Sequence, residues 1–493
     1  MTLRVWVKGK KRGGEFMKSE SSDAVVKATP RQLAGIVAAV IVLVGMHFVP
    51  TTEMMPLAAR NTLGVLIAVI ILLVCETFPF GITCLTAISL LYFFKCTGSV
   101  PEALTGFTNA TLFFVLASFG ISEALTAVPV STRLLLVLMK KFGQNTNRLL
   151  FAVMMVTAVL SSVISNVAAA AVFIPIVQKF LEVYDDEEER KRTGRAFMIA
   201  LPIASMIGGM MTPAGSSINM LAISMLEKYA GTTITFVQWM CLGIPLTVVL
   251  LPVAWMLFIK IYKPAPLSQK KISSYLDEEN KILPPKMTVK EKYVLFILLI
   301  MLVLWILSSW ISVLQITAVA LIGLMLYFVP GKMRILSWKQ FQHCVSLEAF
   351  ILMGTMISIG NVITSSGLSE WLGNVLFPAN FAASGLLAIG FVCLLTFVLL
   401  VIIPVAPALV AMLSGPLVAF CVRIGVSPAL AMAAFGLCAA NCYLLPLDTV
   451  PLMTYATGYY KMFDMPKATV WIQLAMIVIC SLWLMLMGTV LGL

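Results

Sequence analysis

Ser161, Ser162, Ser165 and Asn166 stand together in the middle of residues 149–184, a stretch that is otherwise apolar almost throughout. Hydroxyls and an amide, with the backbone groups exposed where helices end, are equipment for holding a small ligand. A second isolated polar group is Asp448, in the apolar run ALAMAAFGLCAANCYLLPLDTVPLMTYATGYY (429–460). A carboxylate in such surroundings is costly and usually functional. No cluster of acid, base, His or Cys groups accompanies either place, so the pattern is that of a binding site and not of an enzyme.

The elements that must position these residues follow from length. At about 1.5 Å per residue, one helix over 149–184 would overshoot a hydrocarbon core of roughly 30 Å. The chain has to turn, and the only polar place to turn is Ser165-Asn166, where no Gly, Pro or charge marks a loop in water. This predicts a re-entrant hairpin with its tip inside the membrane, where irregular backbone is tolerated only against protein or a cavity. The plainer alternative is two minimal spans joined by a tight turn.

Composition supports the membrane setting. Of 493 residues 60% are hydrophobic and only 11% charged, and the mean hydropathy is +1.00. Those values describe an all-α polytopic membrane protein. The formal charge of +12 is not a nucleic-acid footprint, because Lys and Arg gather between apolar runs, where they set topology and meet anionic lipid. The ten cysteines lie mostly inside apolar runs without CxxC or Cys/His spacing, which implies neither disulfides nor a metal site. No GxxxxGK[ST] loop is present, and no cofactor is expected beyond Na+.

Read in order, residues 1–31 form a basic cytoplasmic tail, part of which a vector or an early start codon could equally have supplied. The first repeat, 32–262, holds spans near 33–49, 61–77, 79–95 and 110–131, the hairpin 149–184, a broken helix 196–230 and a span near 235–261. DDEEERKR (185–192) reads as a solvated charge run, and a Lys-rich cytoplasmic linker, 263–292, divides the chain. The second repeat, 293–493, holds spans near 293–309, 312–329 and 347–367, a second hairpin 386–422, a second broken helix 429–460 and a last span near 468–490. That makes about eleven spans and two hairpins. Every strongly basic connector falls on one side, which puts the N-terminus in the cytoplasm and the C-terminus outside. The expected location is a bacterial inner (plasma) membrane.

The hairpins then enter from opposite faces, each followed by a break, as in an inverted repeat whose tips meet at the midplane. Pro175 follows Ser165 by ten residues, as Pro416 follows Ala406. MTPAGSSIN (211–219) aligns with LLPLDTVPL (444–452), setting Pro213 against Pro446 and Gly215 against Asp448.

At these residues the chain resembles the divalent anion/sodium symporter family of dicarboxylate, citrate and sulfate carriers. The matching features are Ser165-Asn166-Val167 with Pro175 after it, ASMIGGMMTPAG (204–215) leading into Gly215-Ser216-Ser217-Ile218-Asn219, and Asp448-Thr449-Val450-Pro451-Leu452 followed by YATGYYKMFD (455–464). The resemblance covers about residues 30–490 and rests on order and spacing, since no motif is intact. It implies a dimeric inverted-repeat transporter working as an elevator, with a small anion as substrate and Na+ as coupling ion. It also implies that Ser165, Asn166, Val167, Ser216 and Thr449 contact substrate. Ser161, Ser165, Asn166, Gly215 and Asp448 would serve the cation or a coupled proton.

The departures are at the second tip, Ala406-Pro407-Ala408, where the family has Ser-Asn-Thr, and at Asp448, where it has a small residue. Asp448 admits three readings: a sodium ligand, a proton carrier, or a cap on the half-helix after it. The leading function is therefore secondary transport of a C4-type dicarboxylate with Na+ or H+, or by exchange. The alternative is an arsenite-type permease or cation/proton antiporter of the same superfamily, and a membrane-embedded enzyme is remote. Arg133 reads as an interfacial anchor, and Asn441 as a hydrogen-bonding group between helices.

Overall fold

A computed structural model describes residues 29–53, 55–142, 145–377 and 384–493, which are helical with short connections and contain no strand. Most of the expected tail, residues 1–28, lies outside the described residues. The helices of the first half are α1 Pro30–His47, α2 Leu57–Val74, α3 Phe80–Phe93, α4 Ala110–Thr126, α5 Val130–Phe142, α6 Thr146–Ser161, α7 Asn166–Leu181, α8 Glu187–Gly209, α9 Ser217–Ala230 and α10 Phe236–Tyr262. After α11, Gln269–Ile282, come α12 Val289–Leu307, α13 Ile316–Leu326, α14 Leu347–Ser365, α15 Leu368–Leu376, α16 Gly385–Ile402, α17 Ala406–Ile424, α18 Pro428–Ala439, α19 Thr449–Tyr455 and α20 Pro466–Leu491.

Apolar composition makes these segments helical in a membrane, because every buried backbone group must then be bonded within its own segment. Capping residues set several starts. Thr29 with Gln32, Thr235 with Gln238 and Thr288 with Glu291 form reciprocal capping boxes. Seven described helices are long and apolar enough to cross a bilayer, and the pair α4–α5, bent by 64° at its junction, is an eighth candidate. Of the spans read from sequence, those near 79–95 and 312–329 fall short of that requirement, because α3 and α13 have only 14 and 11 residues.

The stretch 149–184 does turn where its polar residues lie. Its arms are α6 and α7, each of 16 residues, with the turn at 162–165. At the open end the hydroxyls of Thr146 and Tyr184 are 3.2 Å apart, so chain entry and exit lie side by side. The second stretch also breaks, at 403–405, but its arms of 18 and 19 residues are each long enough to span.

Both broken segments are interrupted as read. Helix α8 stops at Gly209, a 3-10 turn covers Pro213–Gly215, and α9 restarts at Ser217. Helix α18 stops at Ala439 and the short α19 restarts at Thr449. The two halves interlock through these pieces: α9 packs on α17 and α18, while α19 packs on α7 and α8.

Three charged features differ from the reading by sequence. The run 185–192 is helical from Glu187, because Asp186 caps the helix and the acidic first turn suits its positive N-terminal end. Linker 263–292 contains the helix α11. Arg133 does not lie out along the interface; its guanidinium meets buried Glu291 at 2.6 Å and donates to the carbonyls of Pro284 and Lys286. Ion pairs of Lys140 with Asp277 and Lys271 with Asp185 gather the charged connectors at one end of the molecule.

Candidate functional site

The turn between α6 and α7 places its polar side chains against the end of α8. Ser161, on the last turn of α6, donates its hydroxyl to Oδ1 of Asn166 at 2.7 Å and lies 3.1 Å from the hydroxyl of Ser205 on α8. Ser205 in turn donates to the backbone carbonyl of Asn166 at 2.7 Å. Four oxygens therefore share two hydroxyl protons, which leaves lone pairs without donors. Ser161 and Ser205 are fully buried, where such an excess of acceptors is unfavourable unless something positive shares the space.

The break after α8 closes over the same point. Thr212 donates its hydroxyl to the carbonyl of Ser162 and accepts from the amide of Gly215 at 3.0 Å. Gly215 lies so close to the hairpin that a Cβ there would be 2.6 Å from the carbonyl oxygen of Gly209 and 2.9 Å from that of Ser161. Two carbonyls of interrupted helices thus converge on Gly215. Buried Asn219 holds the break with its amide nitrogen, 2.8 Å from the Gly209 carbonyl and 2.9 Å from that of Thr212, while its Oδ1 has no partner among the described residues. The donor set is entirely oxygen and uncharged, which suits a hard monovalent cation.

The other residues singled out by sequence have separate places. Ser165 caps α7 by accepting from the amide of Ala168 at 3.3 Å, and its own amide donates to Ser122 on α4. Val167 follows in the first turn with an exposed side chain. Ser216 caps α9 through the amide of Ile218, so its hydroxyl oxygen is partly committed. Thr449 is exposed at the start of α19. Asp448 stands at the N-cap position of α19 with extended backbone; its carboxylate forms no full capping hydrogen bond but interacts with the amides of Thr449 and Val450, so the cap reading stands beside the other two. Asn441, in the turn after α18, bonds to the Leu437 carbonyl at the end of that helix rather than across helices, and its Oδ1 has no partner among the described residues.

At the second tip the chain is apolar. Ala406 begins α17 and is buried, and a cleft between the preceding helix α16 and the second break is lined by Phe397, Leu400, Cys442, Leu445 and Leu447, with Gln473 as its polar member. Sequence reasoning missed Ser122, Ser205, Thr212 and Asn219. Ser205 had a signal, one helical turn before Gly209 in a segment already noted.

Residues 31–493 match the family described as the sodium:sulfate symporter transmembrane region. The chain belongs to this family. Its relatives include the sodium-dependent dicarboxylate transporter SdcS of Staphylococcus aureus strains USA300 and NCTC 8325. Each is 28% identical over 437 residues, covering 83% of this chain and 82% of the relative. Among solved structures, the YdaH transporter of Alcanivorax borkumensis aligns over 94% of this chain and 98% of its own, with a TM-score of 0.53 and 14% identity. That likeness concerns the fold alone. As a family member the protein is an integral membrane transporter of the anion/sodium type and not an enzyme.

Proposed function

We propose that the protein is a Na+-coupled secondary transporter of a small dianion, a C4-type dicarboxylate, moved by an elevator-type change of access. The observation that carries this is the proton-poor oxygen cluster of Ser161, Asn166 and Ser205, together with the Gly209 and Ser161 carbonyls that converge on Gly215. In this reading Na+ sits among Ser161, Asn166 and Gly215. The substrate carboxylate meets the Asn166 side chain and the first amides of α7, at Asn166 and Val167, with Ser165, Ser216 and Thr449 at its edge. The dicarboxylate and the sodium coupling are those named for the S. aureus relative.

The repeats divide at the linker 263–292, with re-entrant hairpins 149–184 and 386–422 and broken helices 196–230 and 429–460 in the moving part. The remaining helices form the scaffold of a homodimer, with the N-terminus in the cytoplasm. Uptake of labelled succinate, malate and sulfate into proteoliposomes, with and without an inward Na+ gradient, tests the function. Na+-stimulated succinate or malate uptake is expected. Indifference of folded protein to every anion and both gradients would sink it.

A second reading has its own observation: the apolar Ala406-Pro407-Ala408 tip and the carboxylate of Asp448 at the second break suit an arsenite-type permease or a cation/proton antiporter. Thermal shifts separate the two. A cation carrier loses all ion response in Asp448→Asn, whereas an anion carrier keeps its response to substrate.

A further inference from the structure

Cys393, Cys438 and Cys480 belong to three different helices, α16, α18 and α20, and lie 45 and 42 residues apart in sequence. Their sulfurs nevertheless all lie within 4.8 Å of one another, and all three residues are fully buried. Ser481, next to Cys480, donates its hydroxyl to the Ile477 carbonyl of its own helix at 2.6 Å. Met476 precedes Cys480 by one turn on the same helix face, and its thioether accepts from the hydroxyl of Tyr443 at 3.9 Å. No His, Asp or Glu joins the group among the described residues.

Such a set is the chemical opposite of the oxygen cluster at the first turn. Sulfur ligands select soft ions such as Cu(I) and Zn(II). Structural zinc takes four ligands, and here three thiols converge. Metal–sulfur bonds of about 2.3 Å in a planar three-sulfur site need sulfurs about 4 Å apart, which the 4.8 Å limit accommodates. Charge also favours a monovalent ion. When M+ binds, one thiol loses its proton to solvent, one thiolate and two thiols remain, and the buried complex is neutral with no change of oxidation state.

We propose that Cys393, Cys438 and Cys480 form a three-sulfur site for a soft monovalent metal ion of the Cu(I) type, tying α16 to α18 and α20. The inference does not rest on the transport reading. The test uses full-length protein in lipid nanodiscs, titrated anaerobically with Cu(I) against a competing copper chelator. One Cu(I) per chain is expected to be retained, with X-ray absorption showing three sulfur neighbours. Each of Cys393→Ala, Cys438→Ala and Cys480→Ala should weaken retention at least about tenfold. The same change at Cys84 or Cys421, buried but outside the group, should not. Failure of folded wild-type protein to retain Cu(I), an oxygen or nitrogen shell around the bound metal, or undiminished retention by the triple Ala variant would each overturn the proposal. The first two outcomes need no variant to fold.

Discussion

Gly209 and Asn166 meet where neither can be larger: a Cβ at position 209 would lie 2.3 Å from Oδ1 of Asn166. The end of the first half's broken helix and the polar tip of its hairpin are therefore fitted to each other through one missing side chain. Gly209→Ala should push the amide aside without unfolding the protein, because the clash is with the end of a side chain. Ion-stimulated uptake should fall at least about tenfold while stability drops by roughly 1–3 kcal/mol. Uptake kinetics and thermal unfolding of the same preparation check both halves.

Ser161 and Ser205 form one unit through their shared contact with Asn166, so their removal should not be additive. Ser161→Ala, Ser205→Ala and the double variant, compared by half-saturating Na+ concentration, should show a coupling energy of about 0.5–3 kcal/mol. Additive effects would mean that the two hydroxyls act separately.

Asp448 approaches the amides of Thr449 and Val450 without a full cap bond, so its replacement tells a cation group from a helix cap. Asp448→Asn is predicted to raise the cation concentration needed for half-maximal uptake with little change in thermal unfolding. A loss of about 1 kcal/mol with cation dependence intact would instead mark a helix cap.

Arg133 and Glu291 form a pair whose carboxylate is fully buried. Arg133→Met strands that carboxylate, keeping only its bonds from Thr288, and should destabilise the protein by about 3–5 kcal/mol. Adding Glu291→Met should restore most of the loss, as read from denaturant or thermal unfolding.

Asp464 supplies a pH dependence outside the membrane segments. Burial alone would raise its pKa, but Lys467 at 2.7 Å, the Lys461 amide and Arg195 at 3.5 Å hold it below the ordinary carboxylate value. A depressed folded pKa adds stability that is complete above the unfolded value, about 4, and is lost as pH falls through the folded one. The stability gap between wild type and Asp464→Asn should thus be constant near neutrality and shrink below pH about 4. A gap that widens on acidification would contradict this assignment.

Much of the fold could be read from the chain because its signals are local. The overlong apolar stretch had to turn at Ser165-Asn166, and Gly208, Gly209, Pro213 and Gly215 had to interrupt a helix. Partners brought from afar were not legible. Ser122 reaches Ser165 from another helix, Glu291 meets Arg133 across 158 residues, and three cysteines with no motif spacing converge. Helix content in the linker was hidden because a polar amphipathic helix such as α11 has the composition of a solvated connector.

The central claim is that the first hairpin tip holds the coupling ion with the substrate. Its most direct test is succinate uptake driven by an inward Na+ gradient, in wild type and Asn166→Ala proteoliposomes of equal protein content and verified folding. The prediction is Na+-stimulated uptake in the wild type that disappears in the variant. Equal stimulation in both would contradict the account.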